Sequence, residues 1–211
     1  MPLLSLPSIL KTTLEEIPDL LPVPYLKPQP ELVDYWRARL GSKQSGEVRV
    51  GLVWQGNPAH GGDKYRSIPL SGFIPLASVP GVRLYSFQKN FGTEQIEPLA
   101  DLLPLTCLTS EPDHDVDSFL DTAALMSLMD LVISVDSAPV HLAGALGIRT
   151  WVLCSINPDW RWLTEREDSP WYPSVRVMRQ SKPHQWGDVI QRVVEDLETF
   201  SRESVTQSRL I

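Results

Sequence analysis

Residues 130–147 read DLVISVDSAPVHLAGALG, and this stretch decides the fold. Residues 131–135 are an apolar, β-branched run that reads as a buried strand. Asp136, Ser137, Ala138 and Pro139 follow as a turn. Val140, Leu142, Ala143 and Leu146 then recur at helical spacing, and Gly147 closes the helix. Asp136 or Ser137 is placed to cap it. Pro139 suits its first turn, where a missing N–H leaves nothing unpaired. A tight strand-to-helix turn leaves backbone N–H groups at the positive end of the helix dipole, a site for a phosphate or carboxylate. Asp136 and His141 flank it.

Further out, strands and helices alternate from Val48 onward. Strands are predicted at 48–54, 82–88, 105–108, 131–135, 150–154 and 175–178. Helices are predicted at 31–40, 70–79, 93–103, 117–129, 139–146 and 186–200. This alternation predicts an α/β fold, a doubly wound, mainly parallel Rossmann-like sheet with helices on both faces. In such a sheet the first and fourth strands lie side by side, and ligands bind beyond their carboxyl ends. The polar loop 55–67, QGNPAHGGDKYRS, therefore meets the turn at Asp136–His141. It brings Gly56, Asn57, Lys64 and Arg66 to the N–H groups around Ser137 and Ala138. Cations and a helix N-terminus converging on one crevice suit a diphosphate. Gln88, Lys89 and Glu94 follow the second strand on the same edge, where a carboxylate can accept hydrogen bonds from ribose hydroxyls.

Each of these residues also has a plainer reading. Lys64 and Arg66 can be solvated loop charges, Asp136 a helix cap, and His141 a satisfied core histidine. Glu94 and Glu97 can simply favour a helix start. Trp160, Trp162, Trp171 and Tyr172 cluster in the irregular tract 157–173 as core, as interface or as a stacking surface for a base.

The 211 residues carry a net charge of −7, which disfavours a nucleic-acid partner. No apolar run is long enough to span a bilayer. The N-terminus lacks the basic region and cleavage site of a signal peptide, so a cytoplasmic location is expected. Cys107 and Cys154 read as buried free thiols. His60, His114 and His184 have no metal-ligand spacing, so no metal and no cofactor is expected. Residues 1–46 form a Pro-rich connecting segment with one short helix. Its first 30 residues, with prolines at 2, 7, 18, 22, 24, 28 and 30, read as extended chain lying on a surface, not as regular helix. Residues 47–183 form the Rossmann-like domain, and 184–211 an amphipathic helix with a frayed tail.

The string SVDSAPVHLAGALG resembles the motif of glycosyltransferase family 9, the heptosyltransferase-like enzymes, with Ser137 in place of the more usual threonine. GLVWQGNPAHGGDKYRSIPL (51–70), FLDTAALMSLMD (119–130), NPDWRWL (157–163) and SPWYPSVRVMRQ (169–180) are similar to bacterial proteins that join tetratricopeptide repeats to such a domain. The segment LLSLPSILKTTLEEIP…VPYL (3–26) resembles the stretch joining the two halves of that domain. The resemblance implies a GT-B fold, of which this chain matches the connecting stretch and the second, nucleotide-sugar-binding half. It places Lys64, Asp136, Ser137 and His141 in the donor motif, and Glu94 more loosely. It also implies that the general base belongs to the first half, which makes a chain with only the second half an incomplete enzyme. The alternatives are a non-catalytic remnant docking on another protein through an exposed apolar face, and, more distantly, a nucleotide-sugar epimerase.

Overall fold

The structure, a computed structural model, describes residues 5–20, 22–108 and 119–208. These form one six-stranded parallel sheet in the order β3-β2-β1-β4-β5-β6. The strands are β1 (Val48–Val53), β2 (Val82–Ser86), β3 (Leu105–Cys107), β4 (Leu131–Val135), β5 (Thr150–Cys154) and β6 (Val175–Arg179). β1 and β4 are neighbours, with Val50 opposite Leu131 and Val53 opposite Ser134. The winding reverses between them, as the alternation predicts. Every residue of β1, β4 and β5 is buried, because helices cover both faces.

The helices are α1 (Leu6–Leu10), α2 (Ile17–Leu20), α3 (Pro30–Leu40), α4 (Asp63–Arg66), α5 (Leu120–Met126), α6 (Ala138–Ala145) and α7 (Gly187–Ser208). Val50, Leu52, Leu131 and Ile133 point to one face, against Phe73, Leu76 and the Val189, Val193 and Leu197 stripe of α7. Val53 and Val132 point to the other, against Trp36, Ala124, Leu125 and Ala143 of α3, α5 and α6. This is the period-2 alternation of a strand buried on both sides. Trp36 Nε1 donates to Asp121 Oδ1 at 2.7 Å and pins α3 to α5.

Several segments differ from expectation. Residues 93–103 hold only two 3-10 turns, Thr93–Gln95 and Glu97–Leu99. Pro98 removes a backbone donor there. The amides and acids of the segment bond elsewhere: Gln95 to Leu70 N and to Gln55, Glu94 to Gly92 N. Residues Leu70–Ser78 form a 3-10 helix with Pro75 inside. α5 is shorter than the predicted 117–129, whose first residues lie outside the described residues. α7 continues past Phe200 to Ser208, so most of the expected tail is helical. Residues 209–211 lie outside the described residues. The N-terminal segment contains two single-turn helices with prolines near their starts, where proline is tolerated. Residues 22–29 hold no helix or strand, and the N–H groups of Tyr25 and Leu26 donate to Ala145 O. Residues 1–4 lie outside the described residues. Cys154 is buried, but Cys107 is exposed on the short edge strand β3, contrary to the buried-thiol reading.

Candidate functional site

β1 and β4 run side by side and end at the same rim, so the chain leaving each is brought together there. The loop after β1 is held by a small polar network. Gly56 N donates to Ser67 Oγ at 3.0 Å, Ser67 Oγ donates to Asp63 Oδ2 at 2.9 Å, and Arg66 Nε donates to Asp63 Oδ1 at 3.2 Å. Asp63 is buried, so its charge needs both partners. A Cβ on residue 56 would lie 2.3 Å from Asp63 Oδ1 and 2.8 Å from an Arg66 terminal nitrogen, so any larger residue has to push this ion pair aside. Asn57 Oδ1 accepts from Ala59 N at 2.9 Å and shapes the turn.

After β4, Ser137 is the N-cap of α6 in extended conformation. Its hydroxyl donates back to Val135 O at 3.2 Å. Asp136 Oδ1 instead accepts from Trp162 Nε1 at 2.8 Å. Neither side chain caps the helix, which corrects the capping expectation and leaves the first turn without a side-chain cap. Trp162 is fully buried and stacks on His141, with ring centroids 5.3 Å apart and planes at 18°. Arg179 holds the tract that carries Trp162 by donating to the carbonyls of Trp162, Leu163 and Arg166. His141 Nδ1 lies 3.2 Å from Tyr172 Oη. Burial holds the His141 imidazole below its usual midpoint. Asp136 and Asp159 oppose this, and Arg161 adds to it. Burial, above all, pushes the Tyr172 phenol up.

Two cavities open beside the start of α6. The first, about 370 Å³, has apolar walls from Val53, Phe87, Phe91 and Phe119. The second, about 680 Å³, is polar and includes Tyr65, Asp136, His141, Asn157, Asp159 and Arg161. Arg66, Ser137 and Ala138 line both, so the start of α6 and one guanidinium stand where the cavities meet. Among the described residues, nothing bonds the terminal nitrogens of Arg66.

The structure thus brings Gly56, Asn57, Arg66, Gln88, Lys89, Ser137 and Ala138 to the first cavity, and Arg66, Asp136, Ser137, Ala138 and His141 to the second. Lys64 sits on the same rim but lines neither. It is exposed, with Nζ 4.8 Å from the Tyr65 ring centroid. Glu94 also lines neither, and its carboxylate accepts from Gly92 N at 2.8 Å. Gln88 is buried, and its amide is fully engaged. Oε1 accepts from Trp54 N and Gln55 N, and Nε2 donates to Gln55 O and Phe91 O. It builds the wall and has no side-chain bond left for a ligand. Arg161, Asp159 and Tyr65 were not singled out as ligand contacts. The dense aromatic and charged run at 157–173 is the signal that marks Arg161 and Asp159; Tyr65 lies in the loop after β1 and carries no such signal.

Residues 82–184 match glycosyltransferase family 9 (heptosyltransferase). The family 9 match takes in β4, the Asp136–Ser137 turn and α6, and leaves the loop after β1 outside it. Protein FlbA of Caulobacter vibrioides is 30% identical over 177 residues, which are 84% of this chain and 29% of FlbA. Solved family 9 structures share the fold. Escherichia coli ADP-heptose LPS heptosyltransferase II aligns with a TM-score of 0.60 at 17% identity, over 87% of this chain and 56% of that one. The family 9 glycosyl transferase of Veillonella parvula DSM 2008 gives 0.60 at 15% identity, over 84% and 53%. E. coli heptosyltransferase WaaC with ADP-2-deoxy-2-fluoro heptose gives 0.51 at 16%, over 82% and 51%. The chain spans about half the length of these structures and less than a third of FlbA.

Proposed function

We propose that this chain is the nucleotide-sugar-binding half of a two-domain, GT-B glycosyltransferase. It grips a nucleoside diphosphate sugar whose sugar passes to an acceptor hydroxyl. The observation that carries this reading is the junction of the two cavities over the start of α6, beside Arg66. The apolar cavity suits a nucleoside. The polar one, with Asp136 and Asn157 in its wall, suits a sugar. The diphosphate then crosses the junction, where the helix dipole and a guanidinium favour negative charge. A solved relative carries an ADP-sugar analogue, which supports the same ligand class.

In this reading the acceptor oxygen bonds to the anomeric carbon while the bond from that carbon to the diphosphate breaks. Charge builds on the departing phosphate, and fixed N–H groups and Arg66 stabilise it without a metal. The acceptor proton goes to a base on the other half of the enzyme, so this chain alone transfers little or nothing. Leu6, Ile9, Leu10 and Leu14 are exposed on the N-terminal segment, an apolar strip suited to being covered by that half. The extra length of FlbA leaves room for the tetratricopeptide repeats that the sequence resemblance brings with it.

Isothermal titration with ADP, UDP and GDP tests the binding claim. At least one is expected to bind. Arg66→Ala is expected to weaken it by roughly 10- to 100-fold, the value of one charge-assisted contact. If none of the three binds at millimolar concentration, the assignment fails.

A further inference from the structure

We propose that Tyr172 is a positioning residue that fixes His141 as a neutral imidazole with its proton on Nε2. His141 then serves the polar cavity as a hydrogen-bond donor and not as a base. What it donates to, an anionic oxygen of the donor, rests on the proposed function; the tautomer itself does not.

The 3.2 Å contact between Tyr172 Oη and His141 Nδ1 has two possible directions. A phenol is the stronger donor, and an imidazole nitrogen lone pair the stronger acceptor, so Tyr172 donates to Nδ1.

The other ring nitrogen gives the same answer. Nε2 has no partner among the described residues, and His141 lines the polar cavity. Asp136 lines that cavity too. A lone pair on Nε2 beside a carboxylate is unfavourable, and an N–H there is favourable. The remaining charges around the ring are Asp159 and Arg161, of opposite sign. Burial tips the balance toward the neutral form.

Packing makes the arrangement rigid. Trp162 stacks on one side of the imidazole. Tyr172 approaches α6 at Gly144, where a Cβ would fall 2.5–2.9 Å from three ring atoms. Gly144 is therefore what lets the phenol reach Nδ1.

The test is long-range 1H–15N spectroscopy of the histidine rings in the full chain, without nucleotide, with His141→Gln used for assignment. The wild type is expected to show a neutral His141 at pH 7 with the proton on Nε2. Tyr172→Phe is expected to move population to the Nδ1–H tautomer and to raise the titration midpoint, while the His60 and His184 signals stay in place. A wild-type ring protonated on Nδ1 overturns the proposal, even if no variant folds. So does a tautomer that Tyr172→Phe leaves unchanged. Because no nucleotide is present, failure here and failure of the donor-site reading are separate results.

Discussion

The Trp162 indole N–H donates to Asp136 Oδ1 at 2.8 Å, across 26 positions of sequence. This bond ties the irregular tract after β5 to the turn that begins α6, at a carboxylate that is 9% exposed. Trp162→Phe keeps an aromatic ring but leaves that carboxylate oxygen without its donor, and it opens a small void. The expected loss is about 2–4 kcal/mol of stability in urea unfolding, from the unmet acceptor and the lost packing together.

Gln88 ties its own loop, at Phe91, to the end of β1, at Trp54 and Gln55, through four side-chain bonds. Gln88→Leu has similar volume but cannot make any of them, and it strands the N–H groups of Trp54 and Gln55. A loss of roughly 2–4 kcal/mol is expected. Nucleotide affinity should fall as well, because the loop that carries Gly56 loses its anchor.

Gly144 lies inside α6, whereas Gly187 is the first residue of α7. Alanine in a helix interior is favoured over glycine by about 1 kcal/mol, a preference that counts for less at a helix start. At Gly187 a Cβ meets nothing within 4 Å, so Gly187→Ala should be neutral or slightly stabilising. At Gly144 the Cβ would sit 2.5–2.9 Å from the Tyr172 ring, and overpacking costs typically about 1–3 kcal/mol. The steric cost wins there. Gly144→Ala should lower the melting temperature, and it should change the environment of Tyr172 in near-ultraviolet circular dichroism.

His141 titrates below its usual 6.5 in the folded chain, chiefly through burial. The unfolded chain therefore binds more protons between the folded midpoint and 6.5, so stability rises with pH across that window. Stability should be complete above 6.5 and fall as the pH drops through it toward the folded midpoint. Glu47 behaves differently. Burial works against its charge, but hydrogen bonds from Arg49 and the Gln44 N–H hold its carboxyl below the usual 4.5, so its loss comes only in more acid solution. Urea midpoints from pH 2 to 8 should show both losses in the wild type, and His141→Gln should abolish the upper one.

The sheet was legible because β1, β4 and β5 are continuous apolar runs separated by helical ones, and winding rules then fix their neighbours. The Asp136–His141 turn was legible because strand, turn and helix follow within a dozen residues. The stretch after Gln88 was not. Its spacing of Ile96, Leu99 and Leu103 suits a helix, yet Pro98 and the bonds of Glu94 and Gln95 to loop backbone hold it in short turns. The one-turn α4 was missed because it exists through Asp63, whose partners Arg66 and Ser67 are polar and carry no periodic signal. The far wall of the polar cavity was also hidden. Arg179 gathers the carbonyls of Trp162, Leu163 and Arg166 next to Arg161, a long-range contact that local pattern does not encode.

The donor site is tested most directly by backbone amide shifts of the 15N-labelled chain on titration with ADP, UDP and GDP. One of these is expected to shift Gly56, Asn57, Arg66, Ser137, Ala138 and Val140 most strongly, with Arg149 and Arg176 unmoved. The contrary result is a set of shifts centred on the polar cavity at the opposite rim, around Arg149, Glu167 and Arg176, or no shift with any of the three at millimolar concentration.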